Sequence, residues 1–395
     1  MKKFLIKASI LSISLLTVMA SAAISPALAG IRRAFSATDP TLIKLVLTLP
    51  SLLIIPFSLL CGWLVQRMKK RNILLIGLVI YFLGGVGGAF AHSITQLLII
   101  RALFGIGVGL IIPLSTSLIA DFYEGLDRAK MMGYSGSVSH FGGVVFLLFS
   151  GWLTAISWRY AFGVYALSLL IFLMIFLWLP EPEMKRPAGL VKSKLPAGVY
   201  LCAVLGALMM VAFYAAPTNL AMFIEGFKSA RPGIAGYFLS AMTLVGVFSG
   251  IILAHLMRWL RAYCATIAIA SMALGYGLLS MSFSLSGVLA AMFCIGFSSG
   301  VLMPLILLEV ARLAAQESRV MAMAVVSVGI YLGQFLSPVI LKGVSILYKE
   351  GDLFRQQFNF LAFGLSLATL IAAITAFKNR KSAQAQGAGH VSLHG

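Results

Sequence analysis

The stretch RALFGIGVGLIIPLSTSLIADFYEGLDR, from Arg101 to Arg128, recurs in degraded form one half-length later. A shift of 191 (296 − 105) carries Gly105, Gly109, Pro113 and Leu114 onto Gly296, Gly300, Pro304 and Leu305, and Arg128 onto Arg319, without a gap. The same shift carries Pro26 onto Pro217, Phe57 and Ser58 onto Phe248 and Ser249, Arg67 onto Arg258, Lys70 onto Arg261, Gly84 onto Gly275 and Gly142 onto Gly333. The chain is two copies of one long apolar unit. Repetition of such units is the usual signature of secondary transporters, which bind substrate between the repeats.

Of the 395 residues, 61% are hydrophobic and only 10% charged, so a water-soluble core could not hide the apolar surface and the bilayer must serve as solvent. A crossing helix takes about 20 residues. Twelve apolar runs of that size follow one another, near 4–28, 41–64, 73–91, 96–119, 130–155, 158–179, 197–223, 234–257, 264–283, 286–308, 321–346 and 355–377. The expected class is an all-α membrane protein with twelve transmembrane helices in two parallel six-helix repeats, parallel because six crossings return the chain to its starting side. The expected divisions are 1–180 and 197–377 for the bundles, 181–196 for a polar linker, and 378–395 for a disordered tail. The first residues imitate a signal peptide, with MKK and Ala-x-Ala triplets ending at Ala23 and Ala29. Pro26 has its partner Pro217 inside a later apolar run, which reads 4–28 as the first span.

The net charge of +19 sits in the loops. Nineteen of the 30 Lys and Arg residues fall on the side of the termini and even-numbered junctions, nine on the other side, and Lys7 and Arg101 within spans. That bias places both termini in the cytoplasm and accounts for the charge without nucleic acid. Cys61, Cys202, Cys264 and Cys294 lie in or beside apolar runs without metal-ligand spacing and read as small core residues. No HExxH, phosphate loop or Cys/His cluster is present. Gly296-Phe297-Ser298-Ser299-Gly300 matches G-x-S-x-G, but that elbow needs a preceding strand and a base, and its repeat counterpart is GIGVG. Helix packing by small residues explains it, and neither an enzyme nor a cofactor is expected.

After the second span come Gly62, Leu64, Gln66, Arg67, Lys69, Lys70 and Arg71. This loop resembles the G-x-L-x-D-R-x-G-R-R signature of the major facilitator superfamily, with Gln66 at the acidic position and Lys69 at the second glycine. Arg101, Gly105, Gly107 and Gly109 resemble the family's R-x-x-x-G-x-G motif of the fourth helix. Gly142 and Gly143 match the end of the antiporters' G-x-x-x-G-P-x-x-G-G, where Ser139 replaces proline, and Ser157-Trp158-Arg159 is also reminiscent of the family. The chain looks most like bacterial twelve-span drug and metabolite exporters. That resemblance implies a monomer of the bacterial inner membrane that works by alternating access and exports small amphipathic compounds in exchange for protons. The alternative is uptake or facilitated passage of a small, anionic metabolite.

The basic loop either serves only orientation or gates the transporter. For gating, Asp121 at the end of span 4 could reach Arg67 or Lys70, and such a pair can hold one state of a two-state protein. Gly62 and Gln66 complete this set. Arg101 inside an apolar run is a functional candidate by default; the other reading is snorkelling, against which its repeat counterpart is Met292. Lys7, Lys44 and Lys342 lie near span ends and are expected to snorkel. His140, whose counterpart is Tyr331, is either a hydrogen-bonded core histidine or a proton carrier. No carboxylate lies deep in a span; Glu225 and Glu309 mark span ends. The family resemblance implies a cavity lined by spans 1, 4, 7 and 10, to which Met209, Met210, Phe213, Tyr214 and Asn219 would contribute. Gly105, Gly109, Pro113, Gly142, Gly143, Gly296, Gly300 and Pro304 are expected to be helix-packing positions.

Overall fold

A computed structural model describes residues 2–182, 195–228, 230–260, 263–315, 318–347 and 352–391. Among the described residues, twelve helices are long and apolar enough to cross a membrane. These are, as spans 1 to 12, Phe4–Ala34, Pro40–Leu64, Lys70–Phe90, Ile94–Phe122, Gly125–Ile156, Tyr160–Trp178, Ala197–Ile224, Ile234–Ile251, Cys264–Met281, Leu285–Leu313, Met321–Val344 and Leu353–Lys378. The chain is all-helical over the described residues, as its apolar runs require. Span 1 is longer than its apolar run, continuing through a 3₁₀ turn at Ser25–Ala27 into a helix at Leu28–Ala34. The last helix extends from Leu353 to Val391, past the point where the sequence suggests an irregular tail. Its polar extension is rich in Ala, Gln, Lys and Arg, all good helix formers, and carries no proline to end it. Most of the expected linker, residues 183–194, lies outside the described residues.

Contacts gather into two compact units, residues 1–240 with 310–342 and residues 241–309 with 343–395. This division cuts through spans 8, 10 and 11 and so does not follow the sequence repeat. In the first unit, two prolines explain part of the polar pairing. A proline has no N–H to give the carbonyl four residues earlier, and in a bilayer that carbonyl needs another donor. Pro50 frees the carbonyl of Val46, which accepts from Arg101 Nε at 2.9 Å. Pro113 frees Gly109, which accepts from Ser58 Oγ at 3.2 Å. Near Pro26 the carbonyl of Ala23 accepts from Ser150 Oγ, while Ser25 Oγ donates to the carbonyl of Pro217. Pro26 and Pro217, equivalent in sequence, thus come together in space.

The repeated glycines mark contacts between helices. A Cβ on Gly105 would press on the Pro50 backbone, and one on Gly109 on Phe57. In the second unit a side chain on Gly296 or Gly300 would overlap the backbone of Met242 or Gly246. Span 4 therefore packs on span 2 as span 10 packs on span 8, the close approach that small residues allow. Gly142, buried beside Gly143, meets Leu15 of span 1, and Ser139 donates to the Ser14 carbonyl at 2.8 Å.

One recurrent device escapes sequence alignment. Arg159 Nη1 donates to the carbonyls of Ala89 and Ala91 at 2.5 and 2.9 Å, tying the start of span 6 to the end of span 3. In the second unit, Arg355 donates to the carbonyls of Ser280 and Ser282 at 2.6 and 2.7 Å, tying span 12 to span 9. The acceptors obey the shift of 191, but the arginines are 196 apart (355 − 159).

Candidate functional site

Counting crossings, the loops after spans 2, 4 and 10 share a membrane side with the N-terminus, and those after spans 1, 7 and 11 lie opposite. On the terminal side the basic loop is anchored at Lys70, the first residue of span 3. Its Nζ lies 2.5 Å from Asp121 Oδ2 and 2.7 Å from Ser117 Oγ, with both charged side chains about 15% exposed. Of the two cations that sequence offers to Asp121, the structure selects Lys70. Arg67 instead lies over the Trp63 ring at 3.6 Å. Gln66 and Gly62 are exposed, and nothing stands within 4 Å of the Cβ position at Gly62.

Glu181 completes this cluster, unforeseen from sequence because it opens a polar segment read as linker. Its carboxylate accepts from the backbone N–H of Lys70 at 2.8 Å and of Arg71 at 3.2 Å. Lys69 holds the N-cap position of span 3 and cannot accept a hydrogen bond, so a carboxylate from the end of span 6 serves the first-turn donors instead.

Arg101 is fully buried. Its guanidinium lies 4.2 Å from the Phe104 ring centre and 5.4 Å from that of Tyr165. Tyr81 closes the aromatic cluster, at 4.5 Å from Phe104 and 5.9 Å from Tyr165. The glycines of span 3 make this possible, because side chains on Gly84 and Gly85 would collide with Phe104 and Tyr165. Among the described residues, Nη1 and Nη2 of Arg101 have no hydrogen-bond partner, nor does the buried hydroxyl of Tyr165. Snorkelling is excluded by this burial. The Val46 contact also changes the meaning of the repeat: Pro50 corresponds to Ala241, so the second copy lacks both the arginine and the proline that creates its acceptor.

His140, at the middle of span 5, has an exposed side chain and makes no hydrogen bond with the described residues, which removes the core-histidine reading. Tyr331 is half-buried. Tyr214 is 5% exposed and Asn219 fully buried, so span 7 presents them to protein instead of an open cavity. Asn219 Nδ2 donates to the Ala215 carbonyl at 2.8 Å, leaving Oδ1 unpaired. A polar node that sequence did not single out lies at Gln334 of span 11, whose Oε1 accepts from Ser51 of span 2 at 2.8 Å. Ser298 is buried, without a partner among the described residues, inside a continuous helix, which is no nucleophile elbow. Among the described residues no group of three or more His, Cys, Asp or Glu could hold a metal.

On the opposite side, two ion pairs join the end of span 1 and the loop after it to later elements. Arg33 Nε lies 3.0 Å from Glu225 Oε1 beyond span 7, and Lys342 Nζ lies 2.5 Å from Asp39 Oδ2. Lys342 therefore pairs instead of snorkelling, and Lys44, only 2% exposed, does not snorkel either. Lys7 lies over the Tyr134 ring at 4.5 Å. The Lys342 hydrogen bond holds the Asp39 carboxyl below its ordinary value; the Thr41 N–H helps and partial burial opposes.

The sequence profile described as Major Facilitator Superfamily matches residues 10–338. The multidrug transporter protein MdtP of Bacillus subtilis is 29% identical over 117 residues, 29% of this chain and 21% of that protein. The quinolone resistance protein NorA of Staphylococcus aureus is 27% identical over 156 residues, 39% of each chain. The similarity thus spans about two fifths of NorA's length and one fifth of MdtP's. Among solved structures, a D-xylose-proton symporter superposes with a TM-score of 0.74 over 94% of this chain and 97% of its own, at 18% identity. A mutant of the nucleoside transporter NupG gives 0.76 over 95% and 100%, at 13% identity. At such identities the likeness is one of fold.

Proposed function

The chain belongs to the Major Facilitator Superfamily and is a multi-pass membrane transporter, not an enzyme, and from that premise we propose that it exports small amphipathic compounds in exchange for protons. The observation that carries this reading is the similarity to a multidrug transporter protein of B. subtilis and a quinolone resistance protein of S. aureus. In this reading the protein is a monomer of the bacterial inner membrane with both termini in the cytoplasm, and 1–180 and 197–377 are the two moving halves. Lys70, Asp121 and Glu181 hold the cytoplasmic end of spans 3, 4 and 6 in one of two states. Arg101 is a fixed charge, since a guanidinium remains protonated at physiological pH, and cannot carry the proton. His140 is assigned the proton because it is an imidazole, the side chain most used for that task, and stands at mid-span without a hydrogen bond to the described residues.

A second reading, passage of a small anionic metabolite, is favoured by the two unpaired nitrogens of Arg101, which match a carboxylate. Inverted vesicles with an imposed proton gradient separate the two. Substrate-dependent collapse of the gradient is expected for antiport, and it should vanish in His140→Asn while exchange of substrate for substrate persists. Transport indifferent to the gradient would sink the proton-exchange reading.

A further inference from the structure

The geometry points to a binding site for a small carboxylate with an apolar body, on the membrane side opposite the termini. A cavity of about 410 Å³ lies there, walled by spans 1, 5, 7 and the start of span 8. Its size falls within the range of small-molecule pockets, about 300–1,000 Å³. It is separate from the Arg101 cluster and does not depend on the proposed direction of transport.

Three features give it a preference for negative charge. Arg33 and Arg231 both line it, and Glu225 is the single carboxylate against them. Glu225 is already held by Arg33 at 3.0 Å, while Arg231 is exposed and in no ion pair among the described residues. The first turn of span 8, Ile234 and Ala235, also lines the cavity, so the positive end of that helix borders the space. The third feature is Thr154. It is 7% exposed and lines the cavity, and its hydroxyl has no partner among the described residues. A buried hydroxyl without a partner costs the fold free energy, and a ligand oxygen would relieve it.

The backbone around the site is built to keep it open. Gly233 has φ +82°, a conformation that favours glycine, and a Cβ there would overlap the Gly151 carbonyl oxygen. Span 5 and the start of span 8 are therefore in backbone contact beneath the cavity, with Thr154 one turn beyond Gly151. Pro26, Ala221 and Ile224 supply an apolar wall for the body of the ligand. A carboxylate bridging Arg231 and Thr154 would also compete with Glu225 for Arg33. Occupancy is thereby linked to the tie between spans 1 and 7, and the linkage is reciprocal.

Fluorine NMR titration of para-fluorobenzoate against the purified full-length protein tests this. Saturable binding is expected, weakened at least about tenfold by Arg231→Gln and about threefold by Thr154→Val. Glu225→Gln should tighten binding, because it removes the competing carboxylate. Acetate, which lacks the apolar body, should compete at least about tenfold less well. Arg231 lies in an exposed turn, and a wild-type elution profile will show that its replacement leaves the fold intact. No saturable binding, equal affinity in Arg231→Gln, or equal competition by acetate would each overturn the assignment.

Discussion

Replacing Arg101 with methionine, the residue at its repeat counterpart, separates a structural from a functional role. The change removes a charge-assisted hydrogen bond of 2.9 Å and leaves the Val46 carbonyl unpaired, a loss of about 1–3 kcal/mol. Contacts with Phe104 and Tyr165 are worth about 0.5–2 kcal/mol more. Against this, burying a guanidinium with two unpaired nitrogens costs several kcal/mol, which methionine avoids. The opposing effects nearly cancel, so Arg101→Met should express and melt within a few degrees of wild type. Pro50→Ala supplies the missing N–H to Val46 and removes the need for the arginine there. A stability cycle should therefore show Arg101→Met costing about 1–3 kcal/mol less in the Pro50→Ala background. Additivity within about 0.5 kcal/mol would refute the carbonyl-capping account. Transport by reconstituted protein then decides function: the double variant should remain inactive. If it transports as well as Pro50→Ala alone, Arg101 is only a cap for a proline kink.

In a double-mutant cycle Asp121→Asn and Lys70→Gln should couple by about 1–3 kcal/mol, between exposed and buried ion pairs, while Asp121→Asn and Arg67→Gln should add; the reverse would contradict the observed pairing. Glu181→Gln should lose about 0.5–1 kcal/mol of stability by weakening the charge at the start of span 3, read as a lower melting midpoint; an unchanged midpoint refutes the cap. The depressed Asp39 carboxyl keeps its bond to Lys342 at every pH above its ordinary value, near about 4, and the tie is lost only as pH falls through the lower folded value. Nitroxide labels on cysteines at Ala37 and Ile340 should report one distance from pH 8 to about pH 5; a change within that window contradicts the assignment. In a cysteine-free background, a cysteine at Lys69 should resist an impermeant thiol reagent added outside and one at Ser36 should react; opposite labelling reverses the proposed orientation.

The spans were legible because each is a long apolar run bounded by charge or proline, and burial within a bilayer leaves little else for such runs to do. The helix-packing glycines were legible for a similar reason: a repeat with no gap preserves positions where backbones touch. Side-chain partners were less so. Arg67 and Lys70 lie three residues apart on one loop, and only the start of span 3 at Lys70 decides which meets Asp121. Arg101 misled through its counterpart, because the relevant comparison was the pair of Arg101 with Pro50, whose facing depends on helix register. Glu181 was hidden in a polar segment, where composition cannot distinguish a cap from a linker. His140 looked like a core residue because it lies inside a span, yet its face of span 5 is left uncovered.

The arginines at the starts of spans 6 and 12 bear on the order in which the chain enters the membrane. The carbonyls of Ala89 and Ala91 leave the ribosome about seventy residues before Arg159 (159 − 89). Until that arginine arrives they have only water to donate to them, which holds the end of span 3 at the wet boundary of the bilayer. Ser280 and Ser282 wait in the same way for Arg355. Each half is thus latched by its own last helix, late in its synthesis, and the order survived duplication even though the second latch moved five positions along the chain (196 − 191).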